Sequence, residues 1–355
     1  MRVVVDAMGT DFGGIRTYVE HLLRAWSLAY PDDELVVLTP VGSTLDVAGH
    51  ERHEVVFGSP GPLRRPWAVT RAVQTLVRER GADAVLATFP ATTLRRPGVP
   101  LAVVVHDLRH ERRPEQFTRG RRVLRRISYS RAYRIADTRV AISRRTLDDL
   151  TDLHPATRSA PNVVIHHGAD HVLGWPTGQG TGGAIAFAHH TNKNPHLVID
   201  AWALLRDRGL ARPLTVLGVG SALRAELSEQ VERLGLGESV RLAPYLDDDE
   251  YLATVAEASL MVFPSDFEGF GLPVLEAMML RMPVVIAPEP ASLEVAGEHA
   301  FVADGWTPEA LAEAVLRADA QGPDAREAAR AWAEAFTWEQ TARRTREALV
   351  GPSSA

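Results

Sequence analysis

Two α/β domains, each a doubly wound parallel sheet of Rossmann type, are predicted by three observations. Short apolar runs of β character alternate with helical patterns, the alternation lapses once in a Gly-rich stretch, and it then begins again. The length of 355 residues suits two domains, and 45% apolar with 24% charged residues is ordinary for a globular protein with substantial cores.

The first strand is Val3-Val4-Val5, followed by Asp11-Phe12-Gly13-Gly14, whose paired glycines permit a tight turn or a close approach of backbone to a bound group. Ile15, Val19, Leu22 and Trp26 then recur at helical spacing before the strand Leu35-Val36-Val37-Leu38, completing a βαβ pattern. Further strands are predicted at Ala84-Val85-Leu86, Leu101 to Val105, Val140-Ala141-Ile142 and Val163-Val164-Ile165. Their near-continuous apolar character suits a sheet covered on both faces. From Gly168 to Gly183 the pattern gives way to the most Gly-rich stretch of the chain, which predicts a linker at 171–183 between domains at 1–170 and 184–335. The second series has strands at Ala184 to Ala188, Leu214 to Leu217, Val240 to Leu242, Leu260 to Phe263 and Val284 to Ala287. Ligands of open parallel sheets sit beyond the C-terminal ends of the strands, so two such domains facing each other predict an interdomain cleft lined by the segments after strands.

Composition narrows the chemistry. There is no cysteine, which excludes disulfides and thiol catalysis, and no apolar run long enough for a signal peptide or a membrane span, so a cytoplasmic protein is expected. A net charge of −6 argues against nucleic acid as a partner. Residues 109–145 nevertheless hold thirteen Arg against Glu111, Glu115 and Asp137, and Val123, Leu124 and Ile127 form a short apolar face among them. An interfacial helix and a solvated helix packed on one side both fit that pattern.

The most informative segment is Glu268-Gly269-Phe270-Gly271-Leu272-Pro273-Val274-Leu275-Glu276. Gly269 and Gly271 let backbone come close to an anion, Pro273 suits a first helical turn, and the unpaired N–H groups there point at a phosphate. Glu268 and Glu276 can accept hydrogen bonds from hydroxyls on either side, an arrangement that suits a nucleotide sugar. Lys193 is the only lysine among 39 basic residues and follows an apolar strand, where its compact charge suits phosphate oxygens. His106-Asp107 ends the strand Leu101 to Val105, which fits either a ligand-facing imidazole or a satisfied structural one.

Other patterns are weaker. The pairs His166-His167 and His189-His190 lack metal spacing, because neighbours on a strand point to opposite faces. Asp247-Asp248-Asp249-Glu250 contains an Asp-x-Asp able to hold Mg²⁺, but it precedes a helix whose dipole favours acidic residues there. Leu217-Gly218-Val219-Gly220 has Leu223 where a dinucleotide fingerprint needs its third glycine. Ser143 has the place of a helix cap rather than of a nucleophile.

The chain resembles glycosyltransferase family 4, retaining enzymes of the GT-B fold that use nucleotide sugars. The resemblance is most specific from Phe263 to Met278, where the family has its E-x7-E region, and extends to Gly13-Gly14, His106-Asp107, Val140 to Ser143, Gly168-Ala169-Asp170, Lys193-Asn194, Pro283-Val284-Val285 and Ser292-Leu293-Glu294. It implies a GT-B architecture with an N-terminal acceptor domain and a C-terminal donor domain. Residues 336–355, beginning near Trp338 and preceded by Trp332, would be the terminal helix that crosses back to the first domain.

Residue by residue, the resemblance implies that Glu268 touches the donor sugar, Glu276 the ribose and Lys193 the diphosphate. Gly14 beside Gly13 and the amides of Phe270, Gly271 and Leu272 after Gly269 would complete the cradle, with His106 beside the reacting sugar. Three positions depart from the family pattern. His189-His190 stand where Gly and a basic residue are usual, making His190 the candidate second donor contact; Arg281 replaces a Gly; and Ser292-Leu293-Glu294 lacks a Pro.

The expected activity is retaining, metal-independent hexosyl transfer to a hydroxyl acceptor, needing no cofactor besides the nucleoside diphosphate sugar. The acceptor would be a glycan, a lipid-linked saccharide or a natural product, and the Arg-rich segment favours an anionic or membrane-associated one. The enzyme would then sit at the inner membrane surface. A nucleotide-sugar epimerase would yield epimerised donor without acceptor, a metal-dependent transferase would lose activity in chelator, and a silent sugar-nucleotide-binding subunit would neither transfer nor hydrolyse donor.

Overall fold

The computed structural model describes residues 1–10, 13–58, 61–176, 180 and 182–350. They form two compact units: Met1–Gly168 together with the segment from Thr337, and Ala169–Phe336.

The first unit runs β1 (Arg2–Asp6), α1 (Gly13–Ala29), β2 (Glu34–Pro40), β3 (Glu51–Val55), α2 (Gly61–Arg80), β4 (Ala84–Ala87), β5 (Leu101–Val105), α3 (Arg109–Arg112), α4 (Arg119–Ile135), β6 (Thr138–Ala141), α5 (Arg144–Leu153) and β7 (Asn162–Val164). Its strands pair in parallel in the order β3-β2-β1-β4-β5-β6-β7. The apolar runs explain the central strands, since Val3, Val4, Val5 and Val103 to Val105 are fully buried. β3 has no such signal: its sequence is Glu-Arg-His-Glu-Val, a polar edge strand with only Val55 buried. Arg139 on β6 is buried and donates to the carbonyls of Tyr133 and Ala136, closing the C-terminal end of α4 with a cation.

The second unit runs β8 (Ala184–Phe187), α6 (Pro195–Asp207), β9 (Leu214–Leu217), α7 (Ser221–Arg233), β10 (Val240–Leu242), α8 (Asp248–Glu257), β11 (Leu260–Phe263), α9 (Leu272–Met279), β12 (Val284–Ile286), α10 (Pro290–Ala296), β13 (Phe301–Val302), α11 (Pro308–Asp319) and α12 (Pro323–Ala333). Its parallel sheet has the order β10-β9-β8-β11-β12-β13. Val198, Ile199, Ala201, Trp202 and Leu205 of α6 pack with Leu311, Ala312, Val315 and Ala318 of α11 over it.

The unit boundary falls after Gly168, and Asp170–Gly174 is a 3-10 turn of the second unit rather than open linker. Residues 177–179 and 181 of the expected linker lie outside the described residues. The last helix, α13 (Trp338–Val350), packs on α1 within the first unit. Gly168 is needed for this, because an added Cβ would lie 2.2 Å from the Trp338 backbone nitrogen. Asp33 ties the ends of the unit together: it accepts from the Met1 amino group at 2.9 Å, Trp26 Nε1 at 3.0 Å and Arg346 Nε at 2.7 Å. Burial alone would raise its pKa, but hydrogen bonds from Arg346, the N-terminus and Trp26 bring it to about 2. Among the described residues no helix is long and apolar enough to cross a membrane.

Candidate functional site

Each sheet has one point where strand order reverses, between β1 and β4 in the first and between β8 and β11 in the second. The loops leaving such a pair diverge to opposite faces and open a crevice at their C-terminal ends. In the second unit those two loops carry Lys193 and Glu268.

After β8 the chain makes a 3-10 turn, Thr191–Lys193, that ends at Asn194 in the left-handed conformation (φ 52°) before Pro195 opens α6. After β11 comes the loop to Gly271. Asn192 joins the two loops, its Nδ2 donating to Phe267 O at 2.8 Å and Glu268 Oε1 at 3.0 Å. Lys193 Nζ donates to the same Oε1 at 2.5 Å, and Ser265 Oγ is a further donor to it. The ammonium also lies 4.1 Å from the centre of the Phe263 ring. With side-chain exposures of 7% and 15%, Lys193 and Glu268 form a largely desolvated but still accessible pair, held in place by neutral donors.

Gly271 then takes φ 97°, which a side chain would disfavour, and caps α9 with Pro273 in the first turn. Phe267 and Phe270 are buried and anchor the loop, so Phe270 offers a ligand its backbone only. In the first turn of α9 Pro273 has no N–H and Val274 N donates to Gly271 O at 2.9 Å, so the Leu272 N–H is the first-turn donor left at the positive end of the dipole. Glu276 lies within α9, buried, with Oε1 3.2 Å from His171 Nε2. His190 is exposed at the start of the Lys193 turn, its ring edge-on to His189 at 5.1 Å.

In the first unit Gly13 and Gly14 open α1, and an added Cβ at either would meet nothing within 4 Å. Asp11 and Phe12 of that motif lie outside the described residues. His106 follows β5 and is buried; its Nε2 donates to Thr88 O at 2.9 Å. Burial holds the ring below its usual pKa against the opposing effects of Thr88 and Asp107, so it is neutral near pH 7 with Nδ1 as acceptor. The ring stacks edge-on against Tyr18 at 5.1 Å, within an aromatic group that includes His167 and Trp338. With its donor engaged by Thr88, the ring has Nδ1 left to accept a hydrogen bond, which suits either a structural or a ligand-facing imidazole.

Several other expected features are placed. Ser143 caps α5 by accepting from Thr146 N at 3.0 Å, and Asp247 caps α8 by accepting from Glu250 N at 2.9 Å. The Asp-x-Asp thus belongs to a helix start. Arg281 has φ 58°, a conformation that favours glycine, and pairs with Glu327 on the surface. Sequence reasoning did not single out Asn192, Ser265 or His171. The first adjoins Lys193 and the second lies three residues before Glu268, but His171 meets a partner 105 residues away and has no local signal.

Comparison with known proteins bears on the family and the fold. Residues 12–173 match the profile described as Glycosyltransferase Family 4, and residues 187–335 match Glycosyl transferases group 1. The chain is 32% identical over 163 residues to the D-inositol 3-phosphate glycosyltransferase of Corynebacterium urealyticum, covering 42% of this chain and 38% of that protein. It is also 32% identical over 158 residues to O-antigen chain mannosyltransferase B of Escherichia coli, covering 43% and 41% respectively. These alignments span about two fifths of each relative. Among solved structures, Anabaena HepE in complex with UDP and glucose superposes with a TM-score of 0.77 at 20% identity, covering 99% of this chain and 100% of that one. Between them the two family profiles account for most of the sequence, and the chain belongs to glycosyltransferase family 4, with the GT-B fold.

Proposed function

We propose that this chain moves a hexose from a nucleoside diphosphate sugar to a hydroxyl acceptor, with retention at the anomeric carbon and without a divalent ion. The observation that carries the reading is the Lys193–Glu268 pair at the switch point of the second sheet, beside the Gly271 entry to α9. The main barrier of such a transfer is charge separation between an oxocarbenium-like sugar and a departing diphosphate. Lys193 and the Leu272 N–H at the positive end of the α9 dipole are fixed before that charge develops, which is how preorganised dipoles lower a barrier. Lys193 and His190 would hold the diphosphate, Glu268 would accept from sugar hydroxyls and Glu276 from the ribose. From the first unit, Gly14 would meet the diphosphate and His106 would accept from the reacting sugar. The acceptor oxygen would bond the anomeric carbon on the face the diphosphate leaves, its proton passing to the departing phosphate oxygen, so no protein base is required.

The named activities of the relatives support hexosyl transfer to hydroxyls. α4 supports an anionic acceptor or one at the inner membrane surface, with the chain bound there peripherally. Its sequence RGRRVLRRISYSRAYRI has seven Arg and no acidic residue, and Val123 and Ile127 are 59% and 66% exposed one turn apart. Sedimentation with anionic and with neutral vesicles tests this, and equal association with both would count against it.

The direct test supplies the hexose conjugates of UDP, GDP, ADP and dTDP with candidate acceptors in chelator. The reading expects a product with the anomeric configuration of the donor. Inversion, epimerised donor or loss of activity in chelator would reject it.

A further inference from the structure

His171 belongs to the 3-10 turn Asp170–Gly174 of the second unit, which packs against α9, and its Nε2 lies 3.2 Å from Glu276 Oε1. The two side chains are only 5% and 9% exposed. A carboxylate this deeply placed needs directional donors to offset lost hydration, and an imidazole N–H supplies one. The imidazole is itself held. Trp175 stands edge-on to it at 5.6 Å, and Tyr251 of α8 stands edge-on to Trp175 at 6.1 Å. Burial first and the charge of Glu276 second push the Tyr251 phenol far above its usual pKa, so it remains neutral. Glu276 thus sits in an aromatic corner whose inner wall donates a hydrogen bond through His171.

From this geometry we infer that His171 is a positioning residue: it fixes one oxygen of Glu276 and thereby aims the carboxylate at the ribose hydroxyls of the nucleotide. The inference rests on the nucleotide-sugar reading and deepens it. His171 touches no substrate in this role, and acts by selecting one rotamer of Glu276 before the nucleotide arrives. Selectivity for ribose over deoxyribose is then a property of the pair rather than of the glutamate alone.

The full-length chain, as wild type, His171→Ala and His171→Gln, is titrated with UDP, GDP and ADP and with their 2′-deoxy forms, and its melting temperature without ligand is recorded. Wild type should prefer the ribonucleotide. His171→Ala should weaken that nucleotide about tenfold while changing the deoxy form by less than about threefold, the scale of one buried hydrogen bond. His171→Gln, which can still donate, should restore most of the preference and controls for a folding defect. A ribose preference unchanged in His171→Ala would overturn the inference. So would tighter binding in that variant, which would mean that the ring occupies the place of the ribose. If wild type binds none of these nucleotides, the nucleotide-sugar reading itself fails, a result distinct from a preference that survives the substitution.

Discussion

The two sheets reverse strand order in the same way, yet the chemistry at the two switch points differs. In the second unit the loops after β8 and β11 bring a cation and a carboxylate together, with Lys193 Nζ 2.5 Å from Glu268 Oε1 and both partly open to solvent. In the first, β1 ends at Asp6, whose carboxyl is buried and accepts from Met8 N at 3.2 Å and from Thr92 Oγ1. Burial raises the pKa of Asp6 despite the hydrogen bond from Thr92 and the nearby charge of Arg65. One crevice carries an accessible ion pair and the other seals its carboxyl into the fold. Topology places a crevice in each unit; the side chains decide which one is electrostatically active.

The comparison is tested hardest at Lys193. Lys193→Ala should raise the barrier to transfer by about 2–4 kcal/mol, a loss of about 30- to 1000-fold in kcat, as for removing one preorganised electrostatic contact. Retention of turnover within about threefold would show that the pair is structural, like its counterpart in the first unit. Gly168→Ala comes next. With only 2.2 Å between its Cβ and the Trp338 nitrogen, the junction of α13 with the first unit must shift, at about 1–3 kcal/mol of stability in urea unfolding.

Two carboxylates of the first unit should then show opposite signs with pH. The folded pKa of Asp33 is depressed to about 2, so its contribution is present above the unfolded value near 4 and is lost as pH falls through about 2. Urea midpoints should show wild type ahead of Asp33→Asn by about 1 kcal/mol near pH 6, the partner Arg346 being open to solvent screening, with the gap closing below pH 3. Asp6 has a raised folded pKa, so its ionisation opposes folding once pH exceeds the unfolded value. Asp6→Asn should therefore match wild type within about 1 kcal/mol near pH 7 and keep its turnover. A large loss of turnover would make the first switch point a chemical site as well.

Much of this was legible in the residues. Continuous apolar runs located the central strands, and the Gly-x-Gly-x-Pro segment located the entry to α9, because both signals are local. β3 escaped because an edge strand needs no apolar pattern, and β13 because two residues carry none. The two glutamates and Lys193 could be singled out individually. Asn192 and Ser265 stand close to them in sequence but no motif marks them individually, and His171 meets Glu276 across 105 residues, a contact no spacing records. His106 shows the converse limit: the residue was evident, but only the Thr88 carbonyl 2.9 Å from Nε2 shows that its donor is engaged.

The most direct measurement compares nucleoside diphosphate with nucleoside monophosphate binding, by calorimetry, in wild type and Lys193→Ala. The account predicts that wild type favours the diphosphate by about tenfold or more, the scale of a charge-assisted contact, and that Lys193→Ala removes the difference while leaving monophosphate binding nearly intact. A diphosphate preference of the same size in both proteins would contradict it.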